Sequence, residues 1–111
     1  MTYEDIASML NSTDLPVAYN SFPIGNVPPL PYIVYSFPNS ENFGADNYAY
    51  QKGTQLRMWL CVAEKDFATE NILESVLDAN KIFYDKTESF EQSDSMYMIL
   101  YESEIILTDG E

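Results

Sequence analysis

The order of apolar and polar residues divides the chain into short, distinct elements. Tyr3, Ile6, Ala7 and Leu10 recur at helical spacing behind Thr2, a suitable N-cap with Asp5 three residues on. This spacing predicts a helix over residues 3–10, ended by Asn11 in a left-handed conformation. Residues 17–22 read as a short strand. Residues 23–31 contain Pro23, Pro28, Pro29 and Pro31, each fixing φ and removing a donor, so a stiff extended connection is expected. The β-branched and aromatic run 32–37 predicts a strand. Residues 38–47 have the Pro, Asn, Ser, Gly and Asp chemistry of a loop, after which 48–50 resume extended structure and Lys52-Gly53 suggests a bulge or turn. Residues 56–62 are almost continuously apolar. A strand apolar on both sides belongs in the middle of its sheet, with a helix or a partner subunit on the second face.

In the second half, Asp66 is placed to cap a helix over residues 67–84, with Thr69, Ile72, Leu73, Val76, Leu77, Ala79 and Phe83 on one arc at 100° per residue. Residues 87–92 and 96–107 then read as a hairpin turning at Ser93-Asp94-Ser95. Within its second strand, Glu102 and Glu104 share one face while Ser103 and Ile105 share the other. Helix, strands, helix and hairpin together predict one α+β domain over 1–111. Its sheet is mainly antiparallel, with a short N-terminal helix and one long helix packed on it.

Charge changes this picture most. The chain holds 18 Asp and Glu against 5 Lys and Arg with no His, a formal charge of −13. Residues 1–63 carry a net −3 and residues 64–111 a net −10. Without His there is no imidazole base or ligand, and a single Cys allows neither an internal disulfide nor a Cys-cluster zinc site. The N-terminus lacks the basic region and apolar run of a signal peptide, and no segment approaches the ~18 apolar residues of a membrane span. The acidity disfavours tight binding to nucleic acid or an anionic membrane. A soluble cytoplasmic protein that is not an enzyme is expected, with no catalytic residue, metal site or cofactor.

Asp66, Glu70, Glu74 and Asp78 stand at i, i+4, i+8 and i+12, forming one ridge on the long helix. Like charges at this spacing cost roughly 1 kcal/mol over three pairs, which the helix dipole and Lys81 partly offset. The ridge is expected to be solvent-exposed, away from the Ile72/Val76/Phe83 arc, so its carboxylates have no reason to change their proton affinity. It reads either as a solvated face or as an acidic wall that meets a basic partner or repels a passing polyanion. The 41–47 segment lacks the alternate-residue spacing of a calcium loop. Pro28–Pro31 fits a PxxP pattern but reads first as a stiff lead into the next strand. Cys61, within an apolar run, reads as a buried small hydrophobe. Most of the strand aromatics read as core, although so many Tyr also suit an interface.

Several blocks carry a resemblance. They are Leu15-Pro16-Val17-Ala18-Tyr19 with Phe22, Pro28-Pro29-Leu30-Pro31-Tyr32-Ile33-Val34-Tyr35, Ala45-Asp46-Asn47-Tyr48 with Tyr50, and Lys65-Asp66 leading to Glu70 and Glu74. Lys86-Thr87-Glu88 and Tyr101-Glu102 complete the set. In these the chain resembles small tail-completion proteins, of the tail-terminator or head–tail joining type, from long-tailed phages and prophages of Gram-positive bacteria. The resemblance implies a non-enzymatic virion assembly protein that forms a ring, hexameric in the assembled tail, although the chain alone can also run as a monomer. The ring caps the tail tube, contacts the major tail tube protein and the head connector protein, and leaves a channel for DNA. Its place is the host cytoplasm during assembly and then the head-proximal end of the tail, without a membrane.

On this expectation, Asp66, Glu70, Glu74 and Asp78 form the acidic lumen face, which DNA crosses without tight binding. Asn42, Phe43, Asp46 and Tyr48 belong to an assembly loop. A different connector component of the head–tail junction is the near alternative. An acidic DNA-mimic inhibitor of a DNA-binding host protein is the alternative from another class.

Overall fold

The computed structural model describes residues 1–40, 43–45, 48–51, 53–91 and 96–107, with the backbone alone over 43–45, 48–51 and at 91. The elements run α1 (Tyr3–Asn11), β1 (Val17–Tyr19), β2 (Tyr32–Ser36), β3 (Phe43–Ala45), β4 (Tyr48–Gln51), β5 (Gly53–Val62), α2 (Phe67–Ala79), β6 (Asp85–Glu91) and β7 (Met96–Ile106). The class is α+β, as the hydrophobic pattern predicts. A five-stranded sheet runs in the order β1-β2-β5-β7-β6, with β1 and β2 parallel and every other neighbour antiparallel.

Local chemistry explains where the elements stop. Thr2 and Asp5 form a reciprocal capping box: the Thr2 hydroxyl oxygen accepts from the Asp5 amide at 3.0 Å, and the Asp5 carboxylate accepts from the Thr2 amide at 2.9 Å. At the other end of α1, Asn11 is not left-handed. The Ser12 and Thr13 hydroxyls donate to the carbonyls of Met9 and Leu10, satisfying the helix end without a chain reversal, and positive φ first occurs at Asp14. β1 ends at Tyr19 because Asn20 has φ 68°, so the strand is shorter than the predicted 17–22.

The proline segment is not uniformly extended. The Asn26 amide donates to the Pro23 carbonyl at 2.9 Å, with Gly25 at φ 84° in the third turn position, a conformation that suits glycine. The predicted 38–47 loop contains a strand, since β3 pairs with β4 as a separate two-stranded sheet. Gly53 is neither bulge nor turn but the first residue of β5, opposite Ile106.

α2 ends at Ala79, five residues before the predicted 84, for a backbone reason. Lys81 adopts φ 58°, its amide donates to Asp78 and the Ile82 amide donates back to Leu77. This is a Schellman stop, with lysine in the position usually taken by glycine, and the apolar pair Ile82 and Leu77 lies in the core.

The two faces of the sheet have different surroundings. On one, Ile33, Leu60, Ile99 and Tyr101 meet Ile6 and Leu10 of α1 and Leu73 and Leu77 of α2; all are fully buried. The expected arc of α2 is only partly the buried one. Thr69, Leu73 and Leu77 are buried and Val76 is packed against the core, but Ile72 is 42% exposed and Phe83 81% exposed. Ile72 is displaced because α2 sits rotated so that a carboxylate, Glu70, takes a place on its buried side, and Phe83 lies beyond the end of the helix.

Among the strand aromatics whose side chains are described, only Tyr101 is fully buried. Several of the others pair at the surface of the core instead, as in the Tyr3–Phe37 edge contact at 4.7 Å and the Tyr19–Tyr35 contact at 5.3 Å. Among the described residues, no helix is long and apolar enough to cross a membrane.

Candidate functional site

The four predicted ridge carboxylates do not form an exposed ridge, and the structure separates them into three environments. Asp66 is the N-cap of α2, its carboxylate accepting from the amides of Ala68 and Thr69 at 3.1 and 3.2 Å and from the Thr69 hydroxyl at 2.7 Å. Those bonds hold its pKa below the ordinary value. Asp78 lies exposed near the C-terminal end.

Glu70 and Glu74 point at the sheet. Glu70 is 1% exposed. Its two carboxylate oxygens lie 2.9 Å from Lys65 Nζ and 2.6 Å from Lys86 Nζ, ionic contacts that fall outside hydrogen-bonding geometry. Glu74 accepts from Lys86 at 2.8 Å and from the buried Tyr101 hydroxyl at 2.7 Å, with the Tyr84 hydroxyl at 3.4 Å. Lys65 also pairs with Glu88, and the Lys86 ammonium lies 5.8 Å from the centre of the Tyr101 ring. The result is a continuous network of carboxylates, ammoniums and phenols joining α2 to β6 and β7.

Period-two alternation along β6 makes this possible. Lys86 and Glu88 stand opposite Tyr101 and Ile99 of β7, so both face α2. From the helix side, Glu70 and Glu74 are one turn apart and share Lys86, and Glu70 also reaches Lys65. The sequence reading missed the partners because it placed Lys81 as the relieving cation. Among the described residues Lys81 has no ion pair; Arg57 pairs with Glu102 at 3.3 Å, and Lys65 and Lys86 go to the network. The signal available in the sequence was the scarcity of cations together with the strand spacing of Lys86 and Glu88.

Burial raises the proton affinity of Glu70 and Glu74, but the lysine contacts outweigh it, and for Glu74 the Tyr101 hydroxyl assists; both end below the ordinary 4.5. For Lys86, burial works against the charged form, yet Glu70 and Glu74 prevail and raise it above 10.5. Tyr101 is raised above 10.0 first by burial and then by Glu74. Glu70, Glu74, Lys86 and Tyr101 are thus each held in one protonation state at neutral pH, which suits a clamp between elements. Burial likewise pushes the Cys61 thiol up to about 11, away from the thiolate. Among the described residues, no group of three or more Cys, Asp and Glu side chains is arranged to hold a metal ion.

These shifts set a pH window for stability. Glu70 and Glu74 bind protons less readily folded than unfolded, so their contribution is present above about pH 4.5 and is lost as pH falls below it. Lys86, Tyr101 and Cys61 hold protons more tightly when folded. The Cys61 contribution is present below about pH 9 and is lost as pH rises to about 11, whereas those of Tyr101 and Lys86 begin to be lost only above 10.0 and 10.5. Urea midpoints at pH 3, 7 and 10.5 are expected to be highest at 7; a flat profile would show that the network is not coupled to folding.

Of the predicted assembly-loop residues, Phe43 and Tyr48 lie in β3 and β4, while Asn42 and Asp46 lie outside the described residues. The predicted turn at Ser93-Asp94-Ser95 also lies outside them. No protein-family model matches the chain, and no curated protein matches it significantly.

Proposed function

We propose that the protein is a structural virion assembly component of the tail-completion type, which caps a tail tube as a ring and joins it to a head connector. The observation that carries this is the sheet's two free edges. Among the described residues, β1 pairs only with β2, and the seven-residue β6 only with β7. An open sheet with an outer strand of this length can extend by adding a strand of the next copy. Since β6 runs antiparallel to β7 and β1 runs parallel to β2, a neighbour's β1 laid against β6 with its helices on the same side pairs in the antiparallel sense.

The electrostatics support passage of DNA without retention. Lys65 and Lys86 are held in internal pairs, so the charge offered outward is dominated by carboxylates. Of the expected lumen face, Asp66 and Asp78 are exposed and Glu70 is not, so the channel wall proposed here is narrower than the four-residue ridge. Glu74 is partly exposed and is neutralised by Lys86.

The test is electron microscopy of the purified protein, with and without isolated tail tubes of a long-tailed phage from the same host. Rings seated on tube ends are the expected result. A protein that stays monomeric and leaves tube ends bare overturns the reading.

A further inference from the structure

The sheet has a face that neither helix covers. Strand register places Val34, Trp59 and Leu100 side by side across three adjacent strands on that face, with Tyr32, Cys61 and Met98 as the next row. None of these six belongs to the core cluster between the sheet and the helices; Cys61 is itself buried and the other five are half-buried. The following row is polar: Arg57 lies opposite Glu102, and Glu102 opposite Asp85. Like charges directly opposite each other destabilise a sheet. Arg57 already pairs with Glu102, while Asp85 and the next acid on the same face, Glu104, have no ion-pair partner among the described residues. These acids border a cleft that also includes Phe83, 81% exposed, and beyond Glu104 on the same strand face stands Ile106, 40% exposed.

Exposed carboxylates without an internal cation are thus flanked on both sides by apolar side chains. We propose that this face docks a basic segment of another protein, one that interleaves Lys or Arg with apolar side chains. Charge decides against a second copy: two such faces brought together would oppose the same uncompensated acids in a chain of formal charge −13. A partner's cations satisfy Asp85 and Glu104, and its apolar side chains cover Trp59 and Leu100. This inference rests on the face itself and not on the ring reading.

Trp59 is the chain's single tryptophan, so its fluorescence reports on the face directly. The probe is a synthetic eight-residue peptide alternating Leu and Lys, titrated into the full-length protein. A saturable blue shift of Trp59 emission is expected. An alternating Leu–Glu peptide should produce none, and oligolysine should bind at least ten-fold more weakly.

The double variant Asp85→Lys/Glu104→Lys should lose at least ten-fold in affinity. The matched variant Glu4→Lys/Glu64→Lys, with the same change in net charge at exposed positions off this face, should keep it. Circular dichroism checks that both variants are folded. Equal loss in the two variants would reduce the binding to bulk charge and overturn the proposal, as would equal binding of the Leu–Glu peptide. A concentration-dependent blue shift with dimer formation in analytical ultracentrifugation, without peptide, would make a second copy the occupant and overturn it as well.

Discussion

Replacing Lys86 with Met is expected to destabilise the fold by about 3 kcal/mol. The substitution leaves Glu70 buried with one cation, Lys65, which is already shared with Glu88. Removing one partner of a buried ion pair costs about 3–5 kcal/mol, because the remaining charge loses compensation it cannot recover from water. The low end applies because the Lys86 side chain is 34% exposed and its site admits some solvent.

The companion Glu70→Leu/Lys86→Met separates the value of the pair from the cost of orphaning a charge. It removes both charges and fills the space with apolar groups, so most of the lost stability should return. Glu74 keeps the Tyr101 hydroxyl in that variant. Urea denaturation followed by circular dichroism measures both. A single variant within about 0.5 kcal/mol of the wild type, the ordinary scatter of surface changes, would show that the network does not hold α2 on the sheet.

Leu60→Ala is expected to cost about 4 kcal/mol and to lower Tm by roughly 15 °C. Leu60 is fully buried in β5, opposite Ile33 of β2 and Ile99 of β7, where three strands and the helices leave little room for collapse around a cavity. Leu100→Ala removes the same atoms from the helix-free face of β7. There it should cost only about 1 kcal/mol, since Leu100 is half-buried and outside the core cluster. Thermal unfolding of the two variants side by side tests the asymmetry of the sheet. Equal losses would mean that the second face is buried in the isolated protein.

These predictions depend unequally on information that the chain carries locally. The capping box at Thr2 and Asp5, the N-cap at Asp66 and the central position of β5 were legible because each depends on residues close in sequence or on an apolar run that suits only a central strand. The alternation in β7 was legible for the same reason, and its two faces are as expected: Ser103 and Ile105 are buried, while Glu104 is exposed. The end of α2 was not, because Lys81 adopts a left-handed conformation that lysine seldom takes, and apolar Phe83 beyond it imitated the helix period.

Sequence alone determined the class of the fold, the order along the chain of the two helices and of the strands of the main sheet, and the excess of acid in the second half. Periodicity and capping act over a few residues, and charge is a sum over composition. The tertiary structure alone decided what the acids do. Glu70, Glu74 and Asp78 share a helical spacing, yet one is buried between two lysines, one is bonded to a buried tyrosine and one is exposed. The cations that settle this come from strand β6 and from the residue before the N-cap. A helical period describes which residues share a face; what that face meets depends on chain folded against it from elsewhere.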